Sequence, residues 1–268
     1  MLLDVHGRNA YCYTGGKPFD PALPTAVFIH GAQNDHSVWG LQSRYFAHHG
    51  FGVLAVDLPG HGRSEGPALT GIEVMADWLL ALLDAAGVRQ ATLIGHSMGS
   101  IIALETSARA PNRVRKIALV ATAYPMKVSD ALLDTAKQDE HKAIDMVTIW
   151  SHSTIAQKPS APGPGFYVTG VSQRLQQRIS ALNADHVFHT DFVACNAYAN
   201  GEQAAAAAAC PVLFLLARQD MMTPPRAAAT LIKAIPHAQT VVLDNCGHAL
   251  MAEQPDAVLE SLFQFAGK

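Results

Sequence analysis

A serine, an aspartate and a histidine, far apart in the chain, stand where acyl-transfer chemistry could be assembled. Ser97 lies within Gly95-His96-Ser97-Met98-Gly99, between the apolar run Thr92-Leu93-Ile94 and a stretch rich in helix formers that closes at Pro111. A serine at such a strand-to-helix bend is lifted to the tip of the turn at strained backbone angles, and a Cβ at Gly95 or Gly99 would crowd the neighbouring strand or helix. Its hydroxyl then sits at a helix N-terminus, where amides and the helix dipole favour developing negative charge. An alcohol is a weak nucleophile at neutral pH, so it needs a base within hydrogen-bond reach, and that base needs an orienting acid. Asp220 follows the apolar run Val212 to Ala217, and His248 follows a second run that ends near Asp244. Each of the three is expected at the C-terminal end of a strand, in an order known for nucleophile, acid and base.

The elements that must position these residues follow from the hydrophobic pattern. Apolar, β-branched runs at Thr25 to His30, Gly52 to Asp57, Ala91 to Gly95, Arg115 to Ala121, Pro211 to Ala217 and Thr240 to Asp244 predict buried strands. Between them Ser37 to His49, Ile72 to Ala86, Met98 to Ala110 and Pro225 to Ile235 have the length of crossover helices. This alternation specifies an α/β fold with a mostly parallel sheet flanked by helices. Leu2 to Gly16 adds one or two antiparallel edge strands, and a last helix, Pro255 to Phe265, turns Val258, Leu259, Leu262 and Phe263 to the sheet. The rhythm breaks from about Tyr124 to Ala209, where helix-like runs (Asp130 to Ser151, Ser172 to Asn200) surround the turn-rich Ser160-Ala161-Pro162-Gly163-Pro164-Gly165. The run Ala204 to Ala209 reads as the end of the last helix there. Residues 1–123 and 210–268 are therefore expected to form the core, and 124–209 a helical cap over the sheet's C-terminal edge, where ligands bind in open α/β sheets.

Composition narrows the functional classes. The chain has 268 residues, about the size of one large α/β domain with an insertion, and a formal net charge of −3 without a clustered Lys/Arg stripe. That excludes a basic nucleic-acid surface. No apolar run is long enough for a membrane span, and the N-terminal residues lack the pattern of a secretory signal, so the expected location is cytoplasmic. Cys12, Cys195, Cys210 and Cys246 have neither zinc-site nor disulfide-framework spacing and read as packed thiols, Cys246 included despite its nearness to His248.

Several further motifs sharpen the reading: His30-Gly31-Ala32, Asp57-Leu58-Pro59-Gly60-His61-Gly62-Arg63-Ser64, Asp220-Met221-Met222-Thr223-Pro224 and Gly247-His248. With the elbow around Ser97, they make the chain resemble the α/β-hydrolase superfamily, in its capped serine esterase, lactonase and carbon-carbon hydrolase branch. The resemblance covers nearly all of the chain except the cap. It implies Ser97 as nucleophile, His248 as general base and then acid, Asp220 as the group that fixes the histidine tautomer, and the backbone amides of Ala32 and Met98 as the oxyanion hole. The last assignment also makes physical sense, because Gly31 lets the chain turn directly after a buried strand and Met98 presents an amide in the first turn of its helix.

Other candidates carry plainer explanations. Asp244, only four residues before His248, would have to fold back sharply to serve as the acid, so Asp220 is preferred. Asp57, His61 and Arg63 belong to a turn motif held by hydrogen bonds. His30 and His96 read as packed scaffold histidines. Asp185, His186, His189 and Asp191 suggest a metal only by proximity and lack a distant further ligand, so no metal and no cofactor is assigned. Trp39, Met146, Trp150, Phe166, Tyr167, Phe188, Phe192 and Tyr198 are divided between core and acyl pocket, with Trp150 and Met222 taken as substrate contacts.

The expected activity is hydrolysis of a small or medium carboxylic ester or lactone through an acyl-enzyme, with a small-molecule ester or carbonyl compound as partner. No nucleic acid and no membrane span is expected, and a homodimer is left open. Two rivals stand beside it: a carbon-carbon bond hydrolase of a dienoate or diketone, and a non-catalytic ligand-binding protein on the same scaffold. His96 departs from the Asn often found at that position in the first rival. The intact Ser97, Asp220 and His248 set argues against the second, although fold alone does not decide function. An aspartate nucleophile, as dehalogenation or epoxide opening requires, is absent at Ser97.

Overall fold

The computed structural model describes residues 1–154, 167–182 and 186–267. Its centre is an eight-stranded sheet built from β1 (Leu2–Val5), β2 (Arg8–Tyr13), β3 (Thr25–Ile29), β4 (Gly52–Val56), β5 (Ala91–His96), β6 (Val114–Val120), β7 (Val212–Ala217) and β8 (Gln239–Leu243), in the order β1-β2-β4-β3-β5-β6-β7-β8. The pairs from β4 to β8 are parallel, and β1 and β2 add an antiparallel edge. Each of the six expected inner strands begins and ends within one residue of its predicted bounds. β3, β4, β5 and β7 are buried along their whole length, as parallel strands covered on both faces must be.

The covering helices are α1 (Gly40–His48), α2 (Ile72–Ala85), α3 (Met98–Arg109), α4 (Asp130–Gln138), α5 (Glu140–Ser151), α6 (Val168–Leu182), α7 (Val187–Ala197), α8 (Gly201–Ala207), α9 (Ala229–Ala234), α10 (Leu250–Glu253) and α11 (Pro255–Gly267). One face of the sheet packs α2, α3 and α9 around Leu79, Leu82, Ile101 and Leu231. The other packs α1 and α11 around Phe28, Phe46, Val258 and Leu262. Leu259 and Phe263 join that second layer while remaining partly exposed.

Three of the expected helical runs differ in detail. Asp130 to Ser151 is not one helical run: Asp139 interrupts it, and its carboxylate accepts from Lys142 N at 3.1 Å to cap α5. Ser37 to His49 and Pro225 to Ile235 each open with a 3₁₀ turn, His36–Trp39 and Pro225–Ala228, before the α-helix begins. Between β6 and β7 the described residues form α4 to α8 and no strand. The Ala-rich run ends α8, with Ala204 and Ala205 buried against the core. Ser160 to Gly165 and Phe166 lie outside the described residues. Among those described, no helix is long and apolar enough to cross a membrane.

The strand order reverses between β3 and β5: from β3 the chain moves outward to β4, then returns across β3 to β5. Loops leaving these two strands diverge to opposite sides, which opens a crevice at their C-terminal ends. Ser97 stands immediately after β5, and His30-Gly31-Ala32 immediately after β3.

Candidate active site

The elbow is built by steric necessity. Ser97 has φ +52° and ψ −117°, a conformation an L-residue holds only when its surroundings enforce it. Its N–H donates to Val120 O at 2.9 Å, and its carbonyl accepts from Ser100 N at 2.9 Å. A Cβ on Gly95 would collide with the Gly99 carbonyl, and one on Gly99 would meet Ile29 O and lie 2.6 Å from His30 O. Those contacts are the crowding expected of both glycines. Gly31 is equally constrained, since its Cβ would lie 2.9 Å from His96 Nδ1 and 3.1 Å from Ser97 Cβ. The loop after β3 thus passes directly over the serine.

Asp220 and His248 meet 28 residues apart. His248 Nδ1 lies 2.8 Å from Asp220 Oδ2, with both side chains buried. Burial opposes ionisation of Asp220, but the adjacent His248 and its hydrogen bond, with those from Thr223, outweigh it and hold the carboxyl below the usual range. Asp220 Oδ1 accepts from Met222 N at 2.8 Å and Thr223 N at 2.7 Å, so the loop after β7 wraps around its own acid. Thr223, which sequence reading missed, places its hydroxyl 2.8 Å from Asp220 Oδ2, 2.9 Å from Ala121 O and 3.1 Å from His248 Nδ1. A hydroxyl has one proton to donate, so it serves one of those two oxygens at a time. The rival acid Asp244 is exposed and paired with Arg218.

Ser97 and His248 line one cavity of about 1090 Å³, together with Gly31, Ala32, His96 and Met222. No direct hydrogen bond joins Ser97 to His248, although both face this cavity. Met98 opens α3 with its side chain buried, leaving its amide in the first turn, where intrahelical acceptors are lacking. Val147 and Ser151 of α5, Tyr167, Leu175 of α6 and Phe192 of α7 complete much of the wall. Trp150 is not among the lining residues. On α5 the cavity is met by Val147 and Ser151, one turn apart, whereas Trp150 packs against the cluster of Leu132, Ile144 and Phe188. Trp39 is a core residue against Phe28, Met146 and Phe188 also belong to the α4–α5–α7 cluster, and Tyr198 donates to Glu105 at 2.7 Å.

The flanking histidines are scaffold. His96 Nε2 donates to the His248 carbonyl at 2.9 Å; burial first, then the neighbouring His248, lowers its pKa to about 3. His30 Nε2 accepts from Leu58 N at 3.1 Å, which leaves Nδ1–H to donate to Gly31 O at 2.8 Å. Burial and then repulsion from His61 lower its pKa to about 4. Both rings are neutral at physiological pH.

His61 differs. Its Nε2 lies 2.8 Å from Asp191 Oδ2 and its Nδ1 3.1 Å from Pro59 O, so two acceptors face the two ring nitrogens. Burial disfavours the charged ring, yet the Asp191 charge and hydrogen bond prevail and raise its pKa. Asp57 gathers the loops as its motif suggested, accepting from His36 N at 2.8 Å and Arg63 N at 2.9 Å. Asp35, His36 and Asp57 bring potential ligand atoms within 4.8 Å of one another, but His36 Nδ1 is already committed to Asp57 Oδ1 at 2.8 Å and Asp35 to Ser37 and Arg178. Of the weighed metal cluster, Asp185 lies outside the described residues, His186 faces Glu140 at 3.5 Å, and Asp191 is taken by His61.

Comparison with known proteins agrees with this architecture. The family described as alpha/beta hydrolase fold matches residues 24–255. The acetyltransferase component of the acetoin cleaving system of Cupriavidus necator is 36% identical over 135 residues, but the match spans 49% of this chain and only 33% of that protein. The (E)-2-((N-methylformamido)methylene)succinate hydrolase of Acinetobacter baylyi is 23% identical over 88% of both chains. The crystal structure of the enol-lactonase from Burkholderia xenovorans superposes with a TM-score of 0.84 at 22% identity, covering 100% of each chain.

Proposed function

The chain belongs to the α/β-hydrolase fold family, and from that premise we propose that it is a serine hydrolase of small or medium carboxylic esters or lactones, working through an acyl-enzyme. The observation that carries this reading is the buried 2.8 Å contact of His248 Nδ1 with Asp220 Oδ2 in the wall of the cavity that also holds Ser97. With Nδ1–H donated to the carboxylate, Nε2 keeps its lone pair and acts as the base.

Ser97 Oγ attacks the carbonyl carbon as its proton passes to His248 Nε2. The carbonyl oxygen becomes an oxyanion held by the amides of Ala32 and Met98, each such donor being worth about 3 kcal/mol. Collapse of the tetrahedral species breaks the ester bond, and His248 returns the proton to the leaving alkoxide. Water, deprotonated by the same nitrogen, then releases the acid and restores Ser97. Asp220 stays ionised throughout. Helices α4 to α8, within the span 124–209, act as a cap that contributes Val147, Leu175 and Phe192 to an apolar acyl pocket. Arg174 also lines this cavity from α6, and among the described residues its guanidinium has a single, long contact, 3.5 Å to Gln177 Oε1. It favours substrates that carry a carboxylate beyond the scissile bond.

The test is labelling with a fluorophosphonate probe followed by peptide mass spectrometry, together with turnover of short aryl esters. Modification at Ser97, lost in Ser97→Ala with ester turnover, is the expected result. No modification, or modification elsewhere, argues against the mechanism. Preferential turnover of a vinylogous diketone would favour carbon-carbon cleavage instead.

A further inference from the structure

Asp191 is a fully buried carboxylate in the middle of α7, on a face otherwise formed by Val187, Phe188, Ala194 and Cys195. Such a group is tolerated only with partners. Its partners lie across the boundary, in the core. Oδ2 accepts the backbone N–H of Gln33 at 2.8 Å and faces His61 Nε2 at 2.8 Å. Since the other His61 nitrogen faces the Pro59 carbonyl, also an acceptor, the ring carries both protons and forms an ion pair with Asp191.

Gln33 directly follows Ala32. It has φ +53°, a left-handed conformation that a side-chain-bearing residue keeps only when held. Its side chain is held as well: Nε2 donates within reach of Ser180 Oγ at 2.7 Å and Gln176 O at 3.1 Å, both on α6. On the other side of Ala32, the Gly31 carbonyl accepts from His30 Nδ1 at 2.8 Å. The Gly31 carbonyl and the Ala32 N–H belong to one planar trans peptide unit, so holding the carbonyl sets the direction of that N–H, while holding the Gln33 N–H anchors the next unit and keeps the pair in place. That segment passes close enough to Ser97 that a Cβ on Gly31 would touch it.

We infer that Asp191 is a positioning residue: helix α7 clamps the loop after β3 so that the Ala32 amide points at the oxygen of the carbonyl attacked by Ser97. The inference rests on the proposed roles of Ser97 and Ala32. An oxyanion donor acts mainly in the transition state, so loosening it lowers kcat and leaves ground-state binding largely intact. Aim is critical here, since displacements of about 1 Å can cost on the order of 100-fold.

The experiment compares Asp191→Leu, which fills the space without an acceptor, with Asp191→Asn, which returns an acceptor oxygen to the same place. Kinetics on a short aryl ester are paired with inhibition by an alkyl boronic acid, whose adduct with the serine hydroxyl is tetrahedral. For Asp191→Leu, kcat falls about 10- to 100-fold with KM within about twofold, and the boronate Ki rises by a similar factor. Asp191→Asn stays within about threefold of the parent in both measures, because the N–H of Gln33 regains its acceptor. Unchanged kcat in folded Asp191→Leu, a loss carried by KM alone, or an unmoved boronate Ki overturns the proposal. Should Asp191→Leu not fold by circular dichroism, hydrogen exchange on the unaltered protein decides: the Gln33 amide must be protected, and exchange at the rate of an exposed amide overturns it. Retained turnover in Ser97→Ala would instead overturn the underlying reading, which keeps the two failures distinct.

Discussion

Lowering the pH from 7 to 5 destabilises this protein through two imidazoles that the fold keeps uncharged. His96 and His30 have pKa values lowered by burial, and then by a neighbouring histidine, from the ordinary 6.5 to about 3 and about 4. A depressed folded pKa means that the unfolded chain takes up the proton first. The stabilisation is therefore present above about pH 6.5 and is lost as the pH falls toward the folded values. Between pH 7 and 5 each ring accounts for about 2 kcal/mol, from 1.36 kcal/mol per pKa unit, so the pair removes about 4 kcal/mol from a typical total of 5–15. His61 works in the opposite sense. Its raised folded pKa gives a contribution complete below about 6.5 and lost as the pH climbs through the folded value. A comparison between variants removes that offset. His96→Asn keeps a donor for the His248 carbonyl without a titrating ring, so in urea unfolding followed by tryptophan fluorescence it should lose about 2 kcal/mol less than the parent between the two pH values. Equal losses in the two proteins would refute the claim that burial holds His96 neutral.

Two further perturbations follow from the geometry. Gly99→Ala places a methyl group against the backbone carbonyls of Ile29 and His30, neither of which can move without parting β3 from the elbow; a loss of about 1–3 kcal/mol in chemical denaturation is expected, with a parallel fall in ester turnover. Arg174→Gln removes a guanidinium from the cavity wall. It should lower kcat/KM for a hemisuccinate aryl ester about tenfold relative to the neutral acetate of the same phenol, and an unchanged ratio would exclude a role in carboxylate recognition.

The parts of this molecule that could be read from sequence are those whose physical cause is local. Strands buried on both faces announce themselves as continuous apolar runs, so Thr25–Ile29 and Gly52–Val56 were recognisable to within a residue. Glycines at the elbow are demanded by their immediate neighbours. The preference for Asp220 over Asp244 rests on a local argument, that a carboxylate four residues from the histidine has to double back; in the structure Asp220 meets His248 while Asp244 pairs with Arg218. What escaped notice depends on partners far away in the chain. In the sequence Asp191 reads as part of a chance His/Asp cluster, yet its partner His61 is 130 residues distant. A charged residue on the apolar face of Val187-Phe188 and Ala194-Cys195 was the available signal, because such a residue requires a counterpart somewhere. Thr223 gave no comparable hint, for its significance comes from its reach to Ala121 as well as to the acid. Trp150, expected as a substrate contact, packs on the α4–α5–α7 cluster and is not among the described residues that line the cavity.

The loop that carries His248 is also tied to the end of α5. Ala249 N donates to Ser151 O at 2.9 Å, and the buried Glu253 carboxylate joins Gly247 N at 2.6 Å to the Ser153 hydroxyl at 2.8 Å. Attempts to retarget this enzyme by exchanging its helical segment wholesale for that of another family member would thus disturb the placement of the imidazole along with the shape of the pocket. A chimera that retains Ser151 and Ser153 at the junction, and an acceptor in place of Asp191, keeps those anchorages while leaving the intervening surfaces free to diversify. The boundary convenient for molecular grafting lies inside the segment, not at its ends.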